Sequence, residues 1–256
     1  MLQQWTCNEQ HAIDKWEAIK WAREICDRTD VVYLDTETTG LHDAYPVEIA
    51  VLSRHGSPLL NTLVKPPVPC EEGAARVHGI TDFMLEDAPT FPEIYPLLEK
   101  ILSDRTVIIY NAAFDCGILR NCCNYYSLPQ LKFMPQCAME WYAQYVGNWH
   151  RYYGNYKWQK LPQAGHRAAG DAWACREVVK KMALPPYCHV EYSRMFPPVQ
   201  LFCEWREMAK VEFSWKCLSD RYYADSKKFS FSFPVFKWQR QKPYTSKTQT
   251  GDDIPF

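Results

Sequence analysis

The run Val31-Val32-Tyr33-Leu34-Asp35-Thr36-Glu37-Thr38-Thr39-Gly40-Leu41 constrains this chain more than any other stretch. Its β-branched and aromatic start reads as a buried strand, and it runs into two carboxylates ahead of a glycine. Side chains alternate along a strand, so Asp35 and Glu37 point to one face. Like charges that close repel. Such a pair persists when a cation lies between the two, or when one carboxylate keeps a proton. A solvated strand end is the plainer reading of an isolated D-x-E, so the downstream residues have to decide.

Those residues alternate between helical and strand patterns. Ile13, Trp16, Ile19, Ala22 and Ile25 predict an amphipathic helix over 10–27. Strands follow at 31–36, 47–53 and 59–64, the last two joined by Arg54-His55-Gly56-Ser57-Pro58. A Pro-rich passage leads to a short helix over 71–77. Thr81 or Asp82 is placed to cap another turn. A helix over 91–102 has Pro92 in its first turn, where proline is tolerated. A strand at 106–110, a helix to about Tyr126, a short strand within 131–137 and helices over 138–146 and 168–183 complete the pattern. Between them, residues 147–160 are crowded with aromatics: Trp149, Tyr152, Tyr153, Tyr156 and Trp158. This order predicts one α/β domain over residues 1–185. A length of 256 residues supports that core plus an appendage.

Composition narrows the class. Apolar residues make up 47% and charged residues 23%, as in soluble globular proteins. The net charge of −1 means that attraction to a polyanion must come from local patches or bound metal. The start of the chain has no signal-peptide pattern, and no apolar run approaches the ~18 residues that span a bilayer. The expectation is a cytoplasmic protein with no membrane contact. The 11 cysteines include no C-x-x-C pair, so reduced, buried thiols are expected rather than disulfides or a zinc site.

Two further acids stand where they can join the first pair. Asp115 follows the fourth strand, and Asp171 lies in the helix after His166. These segments can meet at one edge of an open sheet. Four carboxylates without a cysteine suit a hard cation, Mg²⁺ or Mn²⁺. They could hold two such ions ~3.5–4 Å apart. A neutral His166 could take a proton from an attacking water. Alone, it would read as a surface histidine at a helix end.

In three blocks the sequence resembles the DEDDh family of 3′→5′ exonucleases, which contains polymerase proofreading subunits, RNase T and oligoribonuclease. D-T-E-T-T-G-L (35–41) is similar to the family's first motif. N-A-A-F-D (111–115) is similar to the second, and H-R-A-A-G-D-A (166–172) to the third, with its H-x4-D spacing. Val77-His78-Gly79-Ile80-Thr81 is a lesser match. The resemblance implies a ribonuclease-H-like fold, a five-stranded mixed sheet flanked by helices. It implies Asp35, Glu37, Asp115 and Asp171 as ligands of two Mg²⁺ or Mn²⁺ ions, with His166 as general base. It also implies that Thr36, Thr38, Gly40, Leu41, His78, Asn111 and Phe114 line the substrate site, although Phe114 reads equally as core. The aromatic segment before His166 departs from the family pattern, so substrate preference does not transfer.

From Pro185-Pro186 the composition changes. A small helical and aromatic extension is expected over 186–236, with a helix at 199–212, and a basic arm over 237–256. Residues 221–247 interleave aromatics with Lys and Arg, as single-strand binders do. The final Asp252-Asp253-Ile254-Pro255-Phe256 resembles the acidic tip of bacterial single-stranded-DNA-binding protein, which implies docking onto proteins that recognise that tip. The combined expectation is a metal-dependent 3′→5′ exonuclease of replication or repair. It would act on nucleic acid with a free 3′ end, single-stranded DNA favoured, and release nucleoside 5′-monophosphates. An exoribonuclease and a nuclease-fold adaptor working through its tip are the alternatives.

Overall fold

Strand β1 (Val31–Thr38) forms the middle of the sheet, with β2 (Pro46–Ser53) and β3 (Pro58–Leu63) on one side and β4 (Thr106–Ile109) and β5 (Met134–Cys137) on the other. The order is β3-β2-β1-β4-β5 in this computed structural model, which describes residues 7–184. The extension, the basic arm and the Asp252–Phe256 tip lie outside the described residues. β1, β2 and β3 pair antiparallel, whereas β1, β4 and β5 pair parallel. Connection length explains the mixture. Short turns fold β2 and β3 back on β1, while a parallel neighbour needs a long crossover. That crossover holds α2 (Glu72–His78), α3 (Asp82–Leu85) and α4 (Phe91–Leu102). The five-stranded mixed sheet flanked by helices is the ribonuclease-H-like arrangement that the resemblance implied.

The remaining helices are α1 (Cys7–Asp27), α5 (Ala112–Tyr125), α6 (Ala138–Val146) and α7 (Ala168–Ala183). Alternation along β1 assigns its side chains to two cores. Val32 and Leu34 pack with Ile49, Val51, Phe91, Leu98 and Leu119 beneath α4 and α5. Val31 and Tyr33 pack with Trp21, Ile108, Met139, Val178 and Met182 beneath α1, α6 and α7. Each large side chain so buried contributes about 1.5–3 kcal/mol. α4 starts as its sequence directs, with the Glu93 carboxylate accepting the Thr90 backbone N–H at 2.7 Å in a capping box.

Two segments carry detail that the sequence pattern left open. β5 starts only at Met134, because Leu131 and Phe133 turn into the α4–α5 core instead of extending the strand. As an edge strand, β5 can also hold Pro135. The aromatic segment contains a small hairpin, β6 (Trp149–His150) with β7 (Asn155–Tyr156). Among the described residues, no helix is long and apolar enough to cross a membrane. The described cysteines 26, 70, 116, 122, 123, 137 and 175 are free thiols, all at least partly buried.

Candidate active site

The ends of β1 and β4 and the starts of α5 and α7 converge at one edge of the sheet. Strand parity decides which acids meet there. Asp35 and Glu37 continue the Val31–Tyr33 side of β1, which α7 covers. Asp171, in the first turn of α7, joins them. Each of these three acids offers an oxygen within 4.8 Å of the others. Asp115 comes from the first turn of α5, on the opposite face. There Thr36, of the other parity, donates its hydroxyl to Asp115 Oδ1 at 2.8 Å. The expected quartet is therefore a cluster of three plus a fourth acid that a buried threonine hydroxyl holds in place.

Burial raises the proton affinity of every member, and for Asp35 and Glu37 neighbouring carboxylates add to it. Burial, followed by the charges of Asp115, Glu37, Asp171 and Glu48, pushes Asp35 well above the usual carboxylate range. Burial, then Asp171 and Glu48, brings Glu37 to about 8. Burial raises Asp115 to about 7 against the opposing Thr36 hydrogen bond. Burial also raises Asp171, while the Gly165 N–H, 2.8 Å from its Oδ1, works the other way. Among the described residues, no Lys or Arg forms an ion pair with any of the four. An all-oxygen donor set of this kind fits a hard divalent cation.

A fifth acid, Glu48, was not anticipated from the sequence. It stands directly across from Glu37 in the β1–β2 register and is 3% exposed. Its carboxylate accepts Arg167 Nε at 3.0 Å and Arg167 Nη2 at 2.6 Å, and also the Ala168 backbone N–H at 2.9 Å. Burial opposes its charge, but these donors outweigh burial and hold its carboxyl below the usual value. The N-cap residue of α7 is Arg167, whose side chain makes no cap bond. Glu48 thus supplies from β2 the cap that the helix lacks in its own sequence. The sign available in the sequence was an acid inside the apolar run Val47-Glu48-Ile49-Ala50-Val51, since a buried carboxylate requires partners.

His166 is half-buried in the loop entering α7, with φ 53. This left-handed conformation is uncommon for a residue with a side chain, and such conformations cluster at functional sites. The hydrogen bond from Gly165 N to Asp171 ties the loop to the acid cluster.

The expected substrate-site residues divide into frame and surface. The Thr38 hydroxyl donates to Gly40 O at 2.7 Å, and the Tyr45 N–H donates to the Thr39 hydroxyl at 3.1 Å. The Glu71 carboxylate lies where a β-carbon on Gly40 would stand, so a side chain there would have to displace the end of that exposed glutamate. His78 is buried. Its Nδ1 accepts the Ile80 N–H at 3.0 Å, which leaves Nε2 to donate to Thr38 O at 3.2 Å. The imidazole is a clip between the β1 exit and the turn after α2. That turn needs Gly79, at φ 73, to end the helix. Leu41 is 46% exposed, and Asn111 and Phe114 are half-buried at the start of α5.

Known proteins are similar to this chain over the same stretch. The family model described as exonuclease (RNase T) matches residues 32–179. The exonuclease CP81 of Escherichia phage 186 is 35% identical over 184 residues, spanning 65% of this chain and 92% of that protein. The DNA polymerase III subunit epsilon of Buchnera aphidicola subsp. Schizaphis graminum is 33% identical over 100 residues, 35% of this chain and 43% of that subunit. Among solved structures, exonuclease X in complex with 5′ overhanging duplex DNA is 24% identical, with a TM-score of 0.44. That match covers 59% of this chain and 90% of that one.

Proposed function

The chain belongs to the exonuclease family as a 3′→5′ exonuclease, and from that premise we propose that it shortens single-stranded DNA with two Mg²⁺ or Mn²⁺ ions held by Asp35, Glu37, Asp115 and Asp171. The observation behind this reading is the cluster of three acids within 4.8 Å, joined electrostatically to Asp115. Such ions would supply positive charge to the scissile phosphodiester and to the leaving 3′-oxygen.

The protein's own groups do the rest. His166, poised at the entrance of α7, takes the proton from the attacking water. Asp171 and the Gly165 N–H keep that loop against the acids. The water oxygen becomes bonded to phosphorus as the bond to the 3′-oxygen breaks. A nucleoside 5′-monophosphate leaves, and the shortened strand keeps a 3′-hydroxyl. Thr38, Gly40 and Leu41 flank the terminal nucleotide, with Asn111 and Phe114 beside its neighbour. Thr36 and His78 act one step back, fixing Asp115 and Thr38.

DNA as the polymer is supported by likeness to DNA polymerase III epsilon subunits. The free thiols suit a cytoplasmic setting, in replication or repair. End-labelled single-stranded DNA and RNA, each with and without Mg²⁺, provide the test, with Asp35→Ala as the inactive control. Mg²⁺-dependent release of 5′-monophosphates from DNA is expected. Faster cleavage of RNA would reassign the enzyme to RNA trimming, and metal-independent inactivity on both polymers would refute catalysis.

A further inference from the structure

Between Glu140 and Asp171 the sequence contains no acidic residue, yet it holds Arg151, Lys157, Lys160 and Arg167. In a chain of net charge −1, this is a local positive run. The β6–β7 hairpin gives it shape. Trp149 and Tyr156 are paired across the hairpin and share one face, with ring centroids 5.0 Å apart. That face packs on α1: the His11 ring lies 5.2 Å from Trp149, and the Tyr156 hydroxyl donates to Asp14 at 2.6 Å. The face and tip turned away present different rings. Tyr152 is 86% exposed and Tyr153 51%, set edge to face at 5.0 Å. Tyr153 also leans on His150 at 4.5 Å, and its N–H donates to His150 Nδ1.

Position places this surface near the site. α1 is joined to β1 by a short turn and runs back along the sheet over α6 and α7. Its first turns therefore stand at the level where β1 ends, the catalytic edge. The stretch leaving the hairpin is fastened there too, with the Tyr110 hydroxyl donating to Gln159 O at 2.6 Å. Tyr110 directly follows β4, immediately before Asn111. From this anchor the acid-free stretch runs on to His166.

We infer that the β6–β7 hairpin is a stacking platform for single-stranded DNA upstream of the 3′ end, with Tyr152 and Tyr153 receiving bases and Arg151 and Lys157 receiving phosphates. This rests on the exonuclease reading of the acid cluster. The chemistry is that of single-strand binders, which set rigid rings beside backbone-tracking charge. Exposed aromatic rings held by their neighbours lose little conformational freedom when a base lands on them. Asp14, on the α1 surface that the packed face meets, is engaged by Tyr156 and Gln10.

The test measures binding of fluorescein-labelled oligothymidylates of 4 and 20 nucleotides to the full chain in EDTA, by anisotropy. Tyr152→Ala/Tyr153→Ala should weaken binding of the 20-mer roughly tenfold or more, since losing one stacked base costs about that much. Tyr152→Phe/Tyr153→Phe should restore it, because the ring is retained. Arg151→Ala/Lys157→Ala should reduce the salt dependence of 20-mer binding by a slope of about 1.4, for two phosphates on a single strand. Affinity within twofold of wild type for the double alanine variant would overturn the platform. So would failure of the phenylalanine pair to rescue it. Degradation of the unlabelled 20-mer with Mg²⁺ tests the catalytic reading separately, so the two can fail independently.

Discussion

Replacing Glu48 with alanine removes a residue whose hydrogen bonds go to Arg167 and Ala168 rather than to any expected ligand, yet the structure predicts loss of both stability and turnover. The buried Ala168 N–H loses its acceptor, which costs about 1–3 kcal/mol. The paired bonds from Arg167 are also lost. Since that side chain is 52% exposed, it can turn to water, and the pair is discounted to about 1 kcal/mol or less. Relief of repulsion with Glu37, directly opposite, offsets part of this sum. A net loss of about 1–3 kcal/mol remains, or a melting temperature lower by roughly 2–12 °C for a domain of this size. Because the α7 entrance holds His166 and Asp171, kcat should fall about 10–100-fold, as when outer-shell partners of metal ligands are removed. Glu48→Gln keeps an acceptor for Ala168 N–H and should lose less on both measures. Thermal melts and steady-state release of 5′-monophosphates measure the two effects. A Glu48→Ala protein that melts within about 1 °C of wild type, below the shift that 1 kcal/mol produces, and turns over at the wild-type rate would refute the assignment of Glu48 as the cap of α7.

Other perturbations probe the acids more directly. His166→Asn keeps a residue that tolerates positive φ but removes the base, so kcat should drop about 10²–10⁴-fold with little change in melting temperature. Thr36→Val removes the hydroxyl that holds Asp115; activity should fall about tenfold, and added Mg²⁺ should recover part of it if the acid has merely lost its orientation. Raised carboxyl pKa values mean that the folded, metal-free protein binds more protons than the unfolded chain between about pH 4 and 8. Stability without metal should therefore decline as pH rises across that window. Mg²⁺ should raise the melting temperature more at pH 8 than at pH 5.5; equal shifts at both values would contradict the cluster's electrostatics. Leu34→Ala, at the fully buried centre of β1, should cost about 2–5 kcal/mol, readable by urea denaturation.

Much of this arrangement is legible in the residues alone. The alternation of Val32 and Leu34 with Val31 and Tyr33 forces β1 to be buried on both faces, and with it the common face of Asp35 and Glu37. The Thr90–Glu93 capping box and the Gly79 stop mark helix ends through local backbone chemistry, so those elements fall where their residues place them. The H-x4-D spacing sets His166 and Asp171 on either side of one helix start. Partners distant in sequence are another matter. Glu48 caps a helix 120 positions away, and His78 closes onto Thr38 across 40, neither of which any local pattern encodes. Nor does spacing reveal that Asp115 approaches from the opposite face and leans on Thr36 while the other three acids cluster. The sequence by itself determined which carboxylates and which histidine the chain can offer, because strand and helix periods are local. The tertiary structure alone decided which of them meet, because that depends on the face each helix covers and on which buried charges find a donor there.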